Sequence, residues 1–177
     1  MGRETDRERG VTLVEGAIIL PVLVLIILSI MELGLAFKDF LTTDFAAKEG
    51  ARVGALAGND PEADCNIVQS IVAGYTGTDI AKLDSIKISQ VDSNGNLGLT
   101  NTWTFAGDDP TDCSDWSVNE QWPSIGRDVA LGPSAQLDIL GVTIDTRHDW
   151  VTGFPPWRGQ INIERTAIQR LEPEAFE

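Results

Sequence analysis

Histidine and cysteine, from which zinc sites and many catalytic centres are built, are scarce in this chain of 177 residues. It contains one histidine, His148, and two cysteines, Cys65 and Cys113, without a C-x-x-C pair. Neither a zinc centre nor a dithiol redox centre is therefore predicted. His148 precedes Asp149, but no nucleophile motif, phosphate-binding loop or metal signature accompanies the pair. We predict no catalytic residue, no cofactor and no metal, and therefore no enzyme.

Positive charge is also in short supply. Lysine and arginine total 13 against 27 aspartates and glutamates, which gives a formal net charge of -14. Residues 1–10 contain three arginines and three acids, so the negative excess lies further along the chain. Such a protein repels phosphate backbones, and no basic patch is interleaved with aromatic residues. We therefore predict no nucleic-acid partner.

A long apolar run is present near the N-terminus, at residues 11–31 (VTLVEGAIILPVLVLIILSIM). As a helix it would extend about 31 Å, which matches the hydrocarbon core of a bilayer. No A-x-A pattern follows it, so we expect a retained anchor rather than a cleaved secretory signal. The sequence therefore predicts a single-pass membrane protein in contact with lipid.

The two cysteines indicate the orientation. Basic residues on the two sides of the run are nearly balanced, so the positive-inside rule does not decide. Cys65 and Cys113 both follow the run, and in an oxidising compartment the pair is most simply a disulfide. It would close a loop of about 48 residues and stabilise the domain by about 4 kcal/mol. We predict a cytoplasmic N-terminus and a domain outside the cytoplasm.

Two residues inside the run are unusual for an ordinary anchor. Glu15 places a carboxylate in a segment where charge is costly, so it either finds a partner or extends towards the near interface. Pro21 removes a backbone hydrogen bond and favours a kink, with or without a role in assembly.

The residues around Glu15 resemble a type IV prepilin processing site. A polar leader ends at Gly10, an apolar helix begins at Val11, and glutamate is the fifth residue of that helix. The resemblance implies that a membrane aspartic peptidase, the prepilin peptidase, cleaves between Gly10 and Val11. It also implies that Glu15 pairs with the new N-terminal amine of a neighbouring subunit, since each charge supplies the partner that the other lacks.

Further residues narrow the resemblance to the TadE family, the pilin-like (pseudopilin) proteins of the tight-adherence, or Flp, pilus system. They are Arg9, Gly10, residues 14–17, Leu20, Pro21, residues 32–34, Ala36, Phe37 and residues 46–52 (AAKEGAR). Near the C-terminus, residues 165–167 (RTA) and 170–173 (RLEP) are similar to the end of actinobacterial TadE-like proteins. Gly16 departs from the pattern, because the family usually has an aromatic residue there.

The resemblance implies a TadE-like pseudopilin or minor pilin, a structural or assembly component of a Flp-type pilus or related secretion system that serves adhesion or secretion. Its expected partners are prepilin peptidase, other pilin or pseudopilin subunits and the Tad assembly platform, with Glu15 and Pro21 as assembly residues. Its expected location is the cytoplasmic (inner) membrane, or a pilus or pseudopilus. The alternative is an unprocessed, membrane-anchored binding domain, which would need neither Gly10 nor Glu15.

The expected fold class is α+β, with a long N-terminal transmembrane helix that continues into a small extracytoplasmic domain with an antiparallel sheet. We expect a leader at 1–10, a transmembrane segment at 11–31, an extension of the helix at 32–58 and the domain at 59–177. A row of small residues in the extension allows close packing, either on the domain itself or on another subunit. This row consists of Ala46, Gly50, Gly54 and Gly58.

Within the domain, Asn59, Asp60 and Pro61 predict the start of a helix that carries Cys65. Alternating residues 85–92, the Asn94-Gly95 turn and residues 97–105 predict a hairpin. Strands are also expected near 136–145 and 159–169. Residues 106–128 read as an acidic loop with two tryptophans, which is either solvated and held by the disulfide or, against the spacing of known cages, a calcium site. In the alternative of an anchored binding domain, this loop is the recognition surface. The five tryptophans either form a sugar or partner surface or, as we favour for most of them, pack in the core and loops.

Overall fold

The computed structural model describes residues 3–75, 77–129, 137–153 and 158–172, without the side chains of 3–12 and 77–79. The chain divides into two compact units. The first comprises Met1–Lys38 and Trp150–Gly159, and the second comprises Asp39–Asp149 and Gln160–Glu177. Helix α1, Arg3–Ala57, contributes residues to both units and contains Pro21.

In the first unit, α1 is apolar on all sides from residue 16 to residue 31. Every residue from 13 to 27 is exposed, including Leu13, Ile18 and Ile26. Among the residues that the structure describes, α1 is the one helix long and apolar enough to cross a membrane, with a mean hydropathy of 2.8 in its most apolar window. A helix that is hydrophobic all round needs an apolar medium around it.

The second unit combines two helical segments with a five-stranded antiparallel sheet, as the sequence predicts. The sheet has the order β3-β2-β1-β4-β5. The elements after α1 are α2 (Ala63–Gly74), β1 (Leu83–Val91), β2 (Leu97–Phe105), β3 (Trp116–Asn119), β4 (Ile139–Asp149) and β5 (Gln160–Arg170). Short 3-10 helices occupy Gly77–Lys82, Cys113–Asp115 and Ser124–Gly126. The predicted α+β fold class is confirmed.

The predicted hairpin is confirmed as β1 and β2. Its turn contains Gly95 at φ 86°, a conformation that favours glycine. The Asp92 carboxylate stabilises the turn by accepting hydrogen bonds from the backbone N–H groups of Asn94 and Asn96, both at 2.8 Å. The strand pairing brings Ile86 opposite both Trp103 of β2 and Ile144 of β4.

Several predicted boundaries were wrong. Helix α2 begins at Ala63 rather than near Asn59, because the Asp60 carboxylate accepts the N–H of Glu62 and holds a turn before the helix. Strand β4 spans Ile139–Asp149, so it begins and ends several residues later than the predicted segment 136–145. The predicted loop 106–128 contains β3, which pairs with β2. Strand β3 has only four residues and buries only Trp116, so it shows no alternating pattern.

The core lies between one face of the sheet and the two helical segments. Its fully buried residues include Ile67 and Ile71 of α2 and, from the sheet, Ile86, Ile88, Leu140, Val142 and Ile144. The small residues of α1 allow this contact, since a Cβ on Gly54 would lie 2.3 Å from Leu140 Cδ2 and 2.6 Å from Ile67 Cδ1. Packing of this row on its own domain is thereby confirmed.

Candidate functional site

The predicted processing and assembly residues all lie on α1 in the first unit. Gly10 and Val11 are helical in their backbone, and the side chain of Val11 lies outside the described part. Glu15 and Pro21 are exposed. Around Glu15 the helix presents Val14, Ile18 and Ile19, each at least 62% exposed. Glu15 is thus an acidic group on a helix surface whose described neighbours Val14, Ile18 and Ile19 are apolar.

The predicted disulfide is confirmed. Cys65 of α2 is bonded to Cys113, with their Cα atoms 5.8 Å apart. Beside it, the Gln69 side-chain amide donates a hydrogen bond of 3.1 Å to the carbonyl of Thr111. The bond therefore fastens the acidic loop to α2 in the second unit, and it is stabilising mainly because it restricts the unfolded chain.

The carboxylates of the acidic loop bind its own backbone. Asp109 accepts the N–H and hydroxyl of Thr111, and Asp112 accepts those of Ser114. These hydrogen bonds hold the pKa of both carboxyls below its ordinary value. Asp115 accepts the N–H groups of residues 108 and 109. Within the described ranges, no group of three or more histidine, cysteine or acidic residues is arranged to hold a metal ion.

Three of the five tryptophans belong to the interior of the second unit. Trp116 is buried, donates to the carbonyl of Pro110 at 3.0 Å and packs against Phe105 with ring centroids 5.4 Å apart. Trp122 is also buried, and Trp103 packs against the core. These side chains serve packing, as the sequence analysis favoured over a recognition surface. Trp157 lies outside the described residues.

A buried polar cluster in the second unit was not predicted. Asp64 of α2 forms an ion pair with Arg127, whose guanidinium also stacks 4.4 Å from the ring centre of Trp122. Asn101 of β2 joins them, because its amide donates to Asp64 and to the carbonyl of Trp122, both at 2.7 Å. The partners lie up to 63 residues apart, so no local pattern could indicate the cluster.

His148 also belongs to an unpredicted buried cluster. Its Nδ1 lies 2.7 Å from Asp39 Oδ2, which receives the Lys82 ammonium at 2.8 Å as well. Asp149, the sequence neighbour of His148, is instead exposed. The cluster connects α1, the 3-10 helix at Gly77–Lys82 and β4 within the second unit.

Glu32 is the third unpredicted feature. Although it directly follows the apolar run, it is only 1% exposed. Its carboxylate accepts the backbone N–H of Val151 at 3.1 Å and that of Thr152. The two backbone donors belong to Trp150–Gly159, the second segment of the first unit. The first charged residue after the run therefore holds a distant part of the chain.

Comparison with known proteins supports the sequence resemblance at this end of the chain. Residues 10–52 match the family model described as TadE-like protein. The matched segment contains Gly10, Glu15, Pro21 and Glu32. No curated protein and no solved structure matches the chain. The predicted resemblance to the TadE family is confirmed over this segment, which suggests a component associated with the Tad pilus.

Proposed function

Because residues 10–52 match the TadE-like family, we propose that this protein is a pseudopilin or minor pilin of a Flp-type pilus or related secretion system. The observation that carries the proposal is the position of Glu15 within that match, on an exposed apolar helix five residues after Gly10. A simple anchor gains nothing from a carboxylate there, since burying its charge in a bilayer is costly.

The proposed organisation of the chain has four parts. Residues 1–10 are a leader that prepilin peptidase removes, and residues 11–31 cross the cytoplasmic membrane. Residues 32–58 continue the helix outside the cytoplasm, and residues 59–177 form the extracytoplasmic domain. The partners are membrane lipid, prepilin peptidase, other pilin or pseudopilin subunits and the Tad assembly platform.

Glu15 has its proposed role only after cleavage. Removal of the leader leaves Val11 with a free ammonium group, and an unpaired charge at the edge of the membrane is costly. The resemblance to type IV prepilins implies that the ammonium of a neighbouring subunit, rather than that of the same chain, is the partner of Glu15. Removing one charge of a buried pair typically costs about 3 to 5 kcal/mol, which is enough to deplete an assembly.

The first experiment determines the N-terminus of the mature protein. Intact mass and N-terminal sequencing of protein from native membranes should show a chain beginning at Val11. Gly10→Val should retain residues 1–10, which provides the matched unprocessed species. An intact Met1 in the wild-type protein, in cells with a working prepilin peptidase, would contradict the proposal and favour the unprocessed anchored binding domain.

The second experiment separates assembly from folding. Glu15→Gln keeps the size and polarity of the side chain, so the variant should accumulate and fold normally. Its co-purification with pilus or pseudopilus components should fall, and adhesion or secretion should fall with it. Glu62→Gln, at an exposed position of the second unit, is the control and should behave like the wild type. Equal co-purification of Glu15→Gln and wild type would show that the pairing is wrong.

The third experiment tests the orientation. In the native envelope, Cys65 and Cys113 should resist alkylation until a reductant is added, because an oxidising compartment maintains the disulfide. Rapid labelling of both thiols without reductant, in protein from the native envelope, would contradict an extracytoplasmic domain.

A further inference from the structure

The segment Trp150–Gly159 is fixed to α1 at one level of the helix. The Glu32 carboxylate accepts the N–H groups of Val151 and Thr152. The N–H of Trp150 donates to the carbonyl of Gly159 at 3.4 Å, which closes the two ends of the segment on each other. Since Glu32 is 1% exposed, its carboxylate is committed to these contacts within the first unit.

The contact between Glu32 and this segment lies at the end of the apolar run. Glu32 follows Met31 directly, and one residue advances an α-helix by only about 1.5 Å. Leu28 and Ser29, four and three residues before Glu32, lie on the same helix face. They are the only residues from 13 to 31 that are not exposed. Val151 and Thr152 therefore lie beside the end of the run, where a spanning helix leaves the hydrocarbon.

The chemistry of the segment suits the boundary between lipid and water. Trp150 is half-buried, Val151 is 70% exposed, and Arg158 is exposed. Tryptophan concentrates at membrane interfaces because its ring is apolar and its N–H is polar, and arginine accompanies it by extending its charge to the headgroups.

We propose that the described residues of this segment, 150–153 and 158–159, form an interfacial membrane anchor, held at the outer membrane–water boundary by Glu32. Val151 and Trp150 contact the lipid at the junction of headgroups and acyl chains, and Arg158 faces the headgroup phosphates. The partner is the bilayer interface itself. This inference rests on the proposed membrane-spanning role of α1 but does not require pilus assembly.

A depth measurement tests the proposal on the full chain. Val151→Cys is labelled with the fluorophore NBD and reconstituted, with the native disulfide intact, in vesicles of phosphatidylcholine and phosphatidylglycerol. Lipids carrying a nitroxide near the headgroup should quench the label at least about twofold more than lipids with the nitroxide near the chain end, as an interfacial position requires. Ile125→Cys, at a residue that is also 70% exposed but in the second unit, is the matched reference and should be quenched mainly by aqueous iodide.

One further variant separates a failure of the membrane-spanning proposal from a failure of the interfacial anchor. A label at Leu20→Cys, near the middle of the run, should be quenched most by the deep nitroxide. If it is not, the membrane-spanning proposal fails and this inference with it. If the Leu20 label is quenched as expected but the Val151 label responds only to iodide, then only the interfacial anchor is wrong.

Two further measurements test whether Glu32 fixes the segment and whether a second copy of the chain, rather than lipid, covers it. Glu32→Ala removes both acceptor oxygens, so quenching of the Val151 label by the shallow nitroxide should fall towards the Ile125 value. Unchanged quenching would contradict the fixing of the segment by Glu32. The measurement is repeated over a tenfold dilution of protein in lipid. Shielding of the Val151 label from iodide that disappears on dilution would assign this surface to a second copy of the chain and overturn the lipid proposal.

Discussion

Leu23 and Leu56 lie on the same helix and are equally exposed, at 53% and 55%, yet they belong to different regions. Around Leu23, every residue from 13 to 27 is exposed. Next to Leu56, Gly54 and Ala55 are buried in the second unit. Exposure of a single leucine is ordinary, whereas a helix exposed and apolar on all sides requires an apolar medium. The first region therefore needs an apolar medium around it, whereas the second is stabilised by its own core.

The largest effect on the second region is expected from its buried ion pair. Arg127→Ala leaves the Asp64 carboxylate buried without its cation, which should lower the free energy of unfolding by about 3 to 5 kcal/mol. Urea unfolding in detergent, followed by near-UV circular dichroism, measures the loss. Arg147→Ala is the control, because Arg147 and Asp84 are about 40% exposed and such pairs contribute at most about 1 kcal/mol. Membrane retention should remain normal in both variants. Similar losses of unfolding free energy in the two variants would show that burial of the ion pair does not matter.

In the first region, a substitution should instead change membrane retention. Leu23→Arg places a cation near the middle of the run, where insertion becomes less favourable by about 2.5 to 3.5 kcal/mol. Leu56→Arg changes an equally exposed leucine outside the run, so it should not affect insertion. Alkaline extraction of membranes should release more Leu23→Arg than Leu56→Arg. Equal retention of both variants would remove the distinction between the two regions.

The two regions also differ in what the sequence reveals. A membrane-spanning helix is specified by adjacent residues, so composition alone predicts residues 11–31. The hairpin is equally local, because Asn94 and Gly95 supply turn chemistry between two alternating segments. Strand β3 was missed since its four residues are fixed by pairing with β2 rather than by their own pattern.

The buried polar contacts of the fold could not be predicted from local sequence patterns. Asp64 and Arg127 are 63 residues apart, and Glu32 and Thr152 are 120 residues apart. An isolated acid in the sequence gives no sign of which backbone or cation it will meet. The disulfide was predictable despite a separation of 48, because only two cysteines were present to pair.

A smaller effect is expected where α1 meets the core. Gly54→Val adds a side chain where even a Cβ would lie within 3 Å of Leu140 and Ile67, and overpacking of this kind costs about 1 to 3 kcal/mol. Gly34→Val is the matched control, since a Cβ at that helical position meets nothing within 4 Å beyond its chain neighbours and the adjacent backbone of its own helix. Urea midpoints should fall for Gly54→Val only. A normal midpoint for Gly54→Val would mean that the small row is not needed for packing on the domain.

The smallest expected effect concerns the pH dependence of a contact between α1 and β5. Asp44 binds the Lys48 ammonium at 2.7 Å and the Arg165 guanidinium at 2.8 Å. The hydrogen bonds from Lys48 and then from Arg165 hold the pKa of the Asp44 carboxyl below its ordinary value of 3.8.

A carboxyl with a lowered pKa stabilises the folded state above its unfolded pKa and loses that contribution as the pH falls through its folded pKa. Wild type should therefore exceed Asp44→Asn in urea midpoint at pH 7, and the difference should shrink only when the pH falls below about 3.8. Glu49→Gln is the control: the pKa of Glu49 is also lowered, by Arg52, but that partner is on the same helix. Its substitution should change the midpoint less, because Asp44 additionally joins the helix to the sheet through Arg165. If Asp44→Asn showed no larger pH-dependent difference than Glu49→Gln, the contact between α1 and β5 would contribute nothing beyond a local helical ion pair.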